Sequence, residues 1–185
     1  GFGGKTHVWT EPLALALSRK AGRPVKLVMS REEVFKGSGP ASATSIDIKL
    51  GATKDGRLVA AYANLRYSDG AFWGFSGYIG AMVAFACYDI ENVKADGIEV
   101  VCNRPKVAAY RAPSAPMAGF AVESTVNLMA EALGMDPLDF RLKNAAREGT
   151  KASYGPTYGP IGLIPTLQAV KKHPQMRKRL GKNQG

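Results

Sequence analysis

The chain has 185 residues, of which 45% are hydrophobic and 22% are charged, a balance typical of a globular protein with one or two domains. Its net charge is +10, but six Lys and Arg and no acid lie at 171–185, so residues 1–170 carry only +4. Because no basic stripe is interleaved with aromatic residues, the sequence argues against a nucleic-acid-binding protein and favours a solvated basic end.

The apolar segment GAFWGFSGYIGAMVAFACY, residues 70–88, is nearly long enough to span a bilayer. Glycines in its front half favour a loop, so we interpret it as an interior segment of a larger protein. No signal peptide is visible at the start of the sequence. Cys87 and Cys102 lack CxxC spacing, which predicts two buried thiols in a reducing cytoplasm.

The first 33 residues predict a helix, a short strand and the beginning of a second helix. Thr10 is predicted to cap a helix that ends at Gly22. The run VKLVM, residues 25–29, predicts a short buried strand. Ser30 and Glu33 have the spacing of a capping box, in which each side chain bonds the other residue's amide.

Strands dominate the middle of the chain. Alternating apolar residues at 46–50, the KDG turn at 54–56 and the segment 58–67 predict a β-hairpin. The run IEVVCN, residues 98–103, predicts another strand. Asp69, beside Gly70, is interpreted as a turn residue rather than a catalytic base.

The second half is predicted to be helical. Ser114 can cap a helix that ends at Gly134, and Asp136 can cap a helix that runs to about Arg147. The Gly- and Pro-rich segment 153–162 predicts a loop or linker. We therefore predict an α+β fold, with one domain at 1–150, followed by a loop or linker and a basic C-terminal end at 151–185.

The opening GFGGKT is similar to the end of a phosphate-binding P-loop, which would make the chain a nucleotide-binding protein. The first Gly of GxxxxGK[ST] would lie before Gly1, and the helix predicted from Thr10 begins too late for a P-loop lysine. Glycines also let backbone approach a ligand closely. A plain turn remains an alternative, and Lys5 receives no role.

A second candidate segment is VAAYRAPSAP, residues 107–116. Arg111 lies just before a Pro-rich turn that leads into a helix, where both a guanidinium and a helix N-terminus favour an anion. A structural ion pair would explain Arg111 equally well. The two histidines are too few and too far apart in the sequence to indicate a metal site, so no direct protein ligand to a metal is predicted.

Together, these segments resemble the molybdenum hydroxylases, the xanthine dehydrogenase and aldehyde oxidase family. GFGGKT is similar to the end of their GGGFGGK motif, and AYRAPSAPMAGFAVES to their AYRAPGAPQ motif. KLVMSREEVF and LGMDPLDFRLKNAAREG are also typical of this family, and the resemblance covers roughly 1–165. No GxGEP-type motif, which carries the family's general base, occurs in the chain, so it resembles an inactive fragment of the large subunit.

The resemblance implies a site for molybdopterin in which Arg111 has a catalytic role. It assigns Phe2, Gly3, Gly4, Arg111 and Ala112 to cofactor binding, and Thr6 and Pro113 to the substrate pocket. Some purine-oxidising members carry Glu at the position of Thr6, and eukaryotic xanthine enzymes carry an aromatic residue at Pro113, which argues against a purine. The motif's lack of a Cys argues against CO oxidation. The implied substrates are an aldehyde, an N-heterocycle or an aromatic thioester.

The family also implies a cytosine dinucleotide form of the cofactor, water as the oxygen donor, and 2Fe-2S and FAD groups on other domains or subunits. The expected partners are the remainder of the large subunit, iron–sulfur and FAD subunits and a small-molecule substrate, in the cytoplasm, without nucleic acid or a membrane span. The alternatives are a structural or assembly domain that binds no cofactor, and a P-loop protein.

Overall fold

The structure is a computed structural model that describes residue 3, residues 8–178 and residues 180–183. Three strands form one sheet in the order β1-β2-β3. The elements are α1 (Glu11–Ala21), α2 (Arg31–Gly37), β1 (Thr44–Ala52), β2 (Leu58–Gly70), α3 (Ser76–Val83), β3 (Asn92–Val101), α4 (Ala115–Ala132), α5 (Pro137–Asn144), α6 (Leu163–Lys172) and a 3₁₀ turn (Pro174–Arg177). This combination of helices with one sheet confirms the α+β prediction.

The chain forms two compact units that are interleaved along the sequence. The first unit comprises Gly1–Ile46, Asn64–Ala81 and Asp96–Ala118. The second unit comprises Asp47–Ala63, Met82–Ala95 and Gly119–Gly185.

The core of the first unit is built on the second half of β2. Leu65, Tyr67 and Asp69 are fully buried and alternate with more exposed residues, as expected for one face of a strand. Helix α3 approaches this face closely, since a Cβ at Gly80 would lie 2.6 Å from the Tyr67 hydroxyl oxygen. Glycine within this helix therefore makes room for a buried tyrosine.

Residues 105–109 of the first unit are enclosed by glycines from distant parts of the chain. A Cβ at Gly39 would lie 2.4 Å from the Cβ of Ala108, and a Cβ at Gly70 would lie 2.2 Å from the Pro105 carbonyl oxygen. Both glycines have positive φ, of 81° and 74°. No other residue suits this combination of backbone conformation and close approach.

In the second unit, a buried asparagine joins the β-hairpin turn to α5. Asn144 Oδ1 accepts a hydrogen bond from the Leu58 amide at 2.8 Å, and Nδ2 donates to the carbonyl oxygens of Gly56 and Phe140 at 2.8 and 2.9 Å. Asn144 is 2% exposed. Its amide therefore satisfies three backbone groups of the core.

Helices α4 and α5 of the second unit are linked by a carboxylate. The buried Tyr88 hydroxyl donates to both carboxylate oxygens of Glu123, at 2.8 and 2.9 Å, and Arg141 Nε donates to Glu123 Oε2 at 2.8 Å. Burial, followed by the charge of Glu123, raises the pKa of Tyr88. The hydroxyl therefore remains a neutral donor.

Predictions from local patterns are confirmed at four element ends. The Ser30–Glu33 capping box is present, with hydrogen bonds of 2.7 and 3.2 Å. Asp136 Oδ1 accepts from the Leu138 and Asp139 amides. The predicted hairpin is formed by β1 and β2, and Gly22 and Gly134 end α1 and α4 with left-handed φ angles of 64° and 66°.

Other local predictions are wrong. Thr10 has helical dihedrals and makes no side-chain cap, while Glu11 accepts a hydrogen bond from the Trp9 amide instead. Residues 25–29 do not form the predicted buried strand. They are irregular and largely exposed, and the described sheet contains only β1, β2 and β3. Cys87 is exposed and Cys102 is half-buried, and both are free.

Several boundaries also differ from prediction. Strand β3 begins at Asn92, well before residue 98, and α5 ends at Asn144 rather than near Arg147. Ala145 instead forms an isolated antiparallel bridge with Tyr88. Helix α6, which lies beyond the predicted loop at 153–162, was not anticipated, and it packs against α5 with an ion pair between Lys171 and Asp139.

Candidate functional site

The predicted motif around Arg111 forms a tight turn that leads directly into α4. Ala112 and Ser114 have φ angles of 57° and 64°, in the left-handed region that non-glycine residues seldom occupy. The Ala115 amide donates to the carbonyl oxygens of Ala112 and Pro113. The turn therefore stores backbone strain, and strain of this kind clusters at functional sites.

A buried tyrosine holds this turn in place. The Tyr67 hydroxyl donates to the Ser114 carbonyl oxygen at 3.1 Å, and the Ala118 amide donates to the same oxygen at 3.1 Å. Burial raises the pKa of Tyr67 to about 12, so its hydroxyl stays protonated at neutral pH.

The Ser114 side chain does not form the helix cap predicted from the sequence. Its Oγ is buried and has no hydrogen-bond partner among the described residues. The left-handed φ of Ser114 explains this difference, because an N-cap residue ordinarily has an extended backbone.

Gly3, the one described residue of the N-terminal glycine motif, lies against Ala109, two residues before Arg111. Gly3 has φ of 102°, and a Cβ there would lie 2.9 Å from the Ala109 carbonyl oxygen. The close approach of Gly3 to the backbone therefore requires glycine. Phe2, Gly4 and Thr6, which were also predicted site residues, lie outside the described residues.

A cavity of about 360 Å³ lies beside the turn in the first unit, within the range common for small-molecule sites. It is mainly apolar, and the predicted pocket residue Pro113 lines it, together with Ala112. Its described lining comes from residues 41–42, 69, 73–76, 79, 106–110, 112–114 and 116–117. Arg111 is exposed and is not among the residues that line this cavity.

Asp69 is a cavity residue whose role the sequence analysis missed. It lies in β2 and is fully buried, rather than in an exposed turn. Its Oδ2 accepts a hydrogen bond from the Gly74 amide at 2.9 Å, and its carboxyl group is also hydrogen-bonded to the carboxyl group of Glu99. The alternating burial of β2 was the available signal, since residue 69 shares a face with Leu65 and Tyr67.

A second carboxyl lies near Asp69. Burial, the charge of Asp69 and a hydrogen bond between the two carboxyl groups raise the pKa of Glu99, and the backbone amides of Tyr78 and Gly77 partly oppose this effect. The cavity wall is therefore acidic at this point. No group of three or more His, Cys, Asp or Glu that could hold a metal ion occurs among the described residues.

The chain belongs to the molybdopterin cofactor-binding domain family, whose model matches residues 1–145. This match confirms the resemblance to the molybdenum hydroxylases. A nicotinate dehydrogenase large molybdopterin subunit from Eubacterium barkeri is 34% identical over 176 residues, which cover 93% of this chain and 41% of that protein. A xanthine dehydrogenase molybdenum-binding subunit from Escherichia coli O157:H7 is 37% identical over 185 residues, which cover 97% of this chain and 24% of that protein.

Solved structures agree with this assignment. The aldehyde oxidoreductase from Desulfovibrio gigas superposes with a TM-score of 0.83 at 30% identity, over 92% of this chain and 19% of that chain. Quinoline 2-oxidoreductase from Pseudomonas putida 86 superposes with a TM-score of 0.84 at 26% identity, over 93% of this chain and 23% of that chain. The chain thus spans less than half the length of the curated relatives described above. Among the described helices, none has the length and apolarity needed to cross a bilayer.

Proposed function

We propose that this chain is the part of a molybdenum hydroxylase large subunit that holds the cofactor on one side and the substrate on the other. The observation that carries the proposal is the contact between the Gly3 backbone and Ala109, just before the strained turn at 111–114, in a chain of the molybdopterin-binding family. When bound, the molybdenum cofactor supplies hydroxylation, in which water provides the oxygen and two electrons leave the substrate. These residues supply position and charge.

The residues of the turn are suited to an anionic cofactor. Arg111 is exposed at the start of the turn, and α4 begins four residues later, so a guanidinium and a helix N-terminus are close in sequence. Gly3 has no side chain, so its backbone can lie against Ala109, two residues before Arg111. We assign cofactor binding to Phe2, Gly3, Gly4, Arg111 and Ala112.

The substrate side is formed by the apolar cavity. Pro113 contributes to its wall, and we assign Thr6 to the same pocket. We assign Arg111 a catalytic role, in which its guanidinium would stabilise negative charge that develops next to the cofactor. Arg111 is exposed among the described residues, so this role requires the cofactor and the rest of the large subunit to exclude water around it. The substrate is an aldehyde, an N-heterocycle or an aromatic thioester.

The finer features of the proposal follow from the family. Residues 1–150 form the cofactor-binding domain, and residues 151–185 follow it as a linker and basic end. The cofactor is the cytosine dinucleotide form. Electrons pass to 2Fe-2S and FAD groups on iron–sulfur and FAD subunits of a cytoplasmic enzyme, and the rest of the large subunit supplies the general base.

The test is the Arg111→Ala substitution in the assembled enzyme that contains this chain. Loss of the guanidinium should lower kcat by about a hundredfold or more, or reduce the bound molybdenum, because charge stabilisation of this kind is worth several kcal/mol. Molybdenum per protein is measured by atomic emission. Turnover is followed with a panel of aldehydes, N-heterocycles and thioesters.

Arg104→Ala is the matched control, since Arg104 is also exposed in the first unit but lies outside the turn. It should leave both quantities at wild-type values. Wild-type turnover together with full molybdenum content in Arg111→Ala would reject the proposed role of this residue.

A further inference from the structure

Two carboxyl groups of the first unit meet beside the cavity. Asp69 lies on β2 and is fully buried, and Glu99 lies on β3, the neighbouring strand of the sheet. The carboxyl of Glu99 is hydrogen-bonded to that of Asp69. Such a bond needs a proton on one of the two groups, because an ionised carboxylate can only accept. The pair therefore retains a proton for as long as this bond exists.

Both carboxyl groups also hold the backbone between the end of β2 and the first turn of α3. Asp69 Oδ2 accepts from the Gly74 amide at 2.9 Å. The Glu99 carboxyl accepts from the amides of Gly77 and Tyr78. The packing is close at both places, since a Cβ at Gly74 would lie 2.9 Å from Asp69 Cγ, and one at Gly77 would lie 3.1 Å from Glu99 Cγ. The carboxyl pair therefore fastens this segment to the sheet.

The fastened segment forms one wall of the cavity, to which Trp73, Gly74, Phe75 and Ser76 contribute. The side chains of Trp73 and Phe75 are largely exposed, at 73% and 74%. Their burial contributes little to holding the segment in place, so its position depends on polar contacts to its backbone. Lys106 makes a further contact of this kind, since its Nζ donates to the Trp73 carbonyl oxygen at 2.8 Å.

We propose that Asp69 and Glu99 form a pH-sensitive switch, in which the protonated pair holds the cavity wall at 73–78 against the sheet and loss of the shared proton releases it. Both are positioning residues, because they act on the cavity through the backbone of its wall rather than by contact with a ligand. The inference goes beyond the proposed function, and it depends on that function only in treating the cavity as the substrate pocket.

The charges of the pair determine the direction of the response. Burial, followed by the charge of Asp69, raises the pKa of Glu99. When the Glu99 proton leaves, two carboxylates face each other, and their repulsion favours movement of Glu99, the more exposed of the two, into water. Because the folded state raises this pKa, the stabilisation is present at low pH and is lost as the pH rises through the raised value.

The elements packed around the pair carry further ionisable side chains, which include Tyr67, Tyr78, Cys102, Arg104 and Lys106. Tyr67 has a pKa of about 12 and donates to the Ser114 carbonyl oxygen. Cys102 Sγ lies 3.0 Å from Ser68 Oγ, and Lys106 is directed to the backbone of the cavity wall. Tyr78 and Arg104 are exposed. The charge that acts on Glu99 is that of Asp69.

The test is hydrogen–deuterium exchange of the assembled enzyme that contains this chain, measured by mass spectrometry on peptides that span residues 71–78. Protection is expressed relative to the intrinsic exchange rate at each pH. In wild type it should fall about tenfold as the pH rises from about 4 to about 9, with a midpoint above the ordinary glutamate pKa of 4.5. The measurement needs neither turnover nor molybdenum analysis, so failure here would leave the Arg111 result standing.

Two variants each remove one of the two charges. Glu99→Gln keeps an oxygen for the α3 amides and an N–H for the Asp69 carboxylate, so protection should stay high at every pH. Asp69→Asn keeps an acceptor for the Gly74 amide and offers an N–H to Glu99, so it should also remove most of the pH dependence. Glu32→Gln, at an exposed glutamate of α2 in the same unit, is the control and should retain the wild-type pH dependence.

Thermal unfolding at about pH 5 verifies that each variant is folded, since the protonated pair is intact in acid. Constant protection of residues 71–78 in wild type across the pH range would overturn the proposal, and this result needs no variant. A wild-type pH dependence that persists in either folded variant would assign the titration to another group and would overturn it as well.

Discussion

The hydroxyl of Tyr67 donates to the carbonyl oxygen of Ser114 at 3.1 Å, although the two residues are 47 positions apart in the sequence. This bond connects the buried face of β2 to a turn whose φ angles are unfavourable for Ala112 and Ser114. The core of the first unit thus supports a backbone shape that the turn's own residues disfavour.

Removal of this hydroxyl should weaken the turn. Tyr67→Phe keeps the ring in the core but leaves the Ser114 carbonyl oxygen with the Ala118 amide alone, so the free energy of unfolding should fall by about 1 kcal/mol. Urea unfolding followed by circular dichroism measures the change. Tyr78→Phe, at an exposed tyrosine of α3, should have no measurable effect. Equal stability of the two variants would mean that Tyr67 does not support the turn.

A substitution at Gly39 tests the close approach of the glycines to residues 105–109. In Gly39→Ala, the new Cβ would lie 2.4 Å from the Cβ of Ala108 at a φ of 81°, so we expect a loss of about 2–4 kcal/mol from overlap and backbone strain. Gly22→Ala is a matched control with a φ of 64° and no atom within 4 Å of the new Cβ. It should cost only about 1 kcal/mol. Similar losses in both variants would mean that strain, rather than space, governs position 39.

The second unit should depend on Asn144. Asn144→Ala removes three hydrogen bonds and leaves the buried Leu58 amide without its partner, which should lower the free energy of unfolding by about 2–4 kcal/mol. The exposed Asn127 in α4 provides the control, since Asn127→Ala should change stability by less than about 0.5 kcal/mol. Chemical denaturation of both variants measures their free energies of unfolding. A decrease of less than about 1 kcal/mol in Asn144→Ala would contradict the expected role of Asn144.

Stability should fall in alkaline solution. The folded state holds the pKa of Tyr67 at about 12, above its ordinary value of 10.0, so the unfolded chain releases this proton first. The contribution of Tyr67 is therefore intact below about pH 10 and is lost as the pH rises toward 12. Unfolding free energies measured from pH 8 to 12 should fall less steeply in Tyr67→Phe than in wild type. Parallel curves would show that Tyr67 titrates as it does in the unfolded chain.

The features that the sequence predicts well are those decided by neighbouring residues. The Ser30–Glu33 box, the Asp136 cap and the hairpin each depend on a few adjacent positions, and all are present in the structure. The run at 25–29 has the composition of a strand, but a strand also needs a partner, which composition does not provide.

The features that the sequence leaves open are those decided at long range. Asp69 precedes a glycine, as turn residues often do, yet it lies in a buried strand. Its carbonyl oxygen accepts a hydrogen bond from the Val107 amide, and the residue lines the cavity. The residues next to Gly39 in the sequence do not explain why glycine is needed there. The explanation is a distant contact, because a Cβ at position 39 would overlap the Cβ of Ala108. The expectation that the N-terminal glycines and the Arg111 segment belong to one site came from the resemblance of the two motifs, and it stays a prediction.

The glycine contacts around residues 105–109 also bear on the order of folding. Gly3, Gly39 and Gly70 reach this segment across separations of up to about a hundred residues, so each contact closes a long chain loop. Contacts between residues far apart in the sequence form slowly during folding. We therefore expect substitutions at Ala108 to accelerate unfolding and leave the folding rate unchanged, with Φ values close to zero.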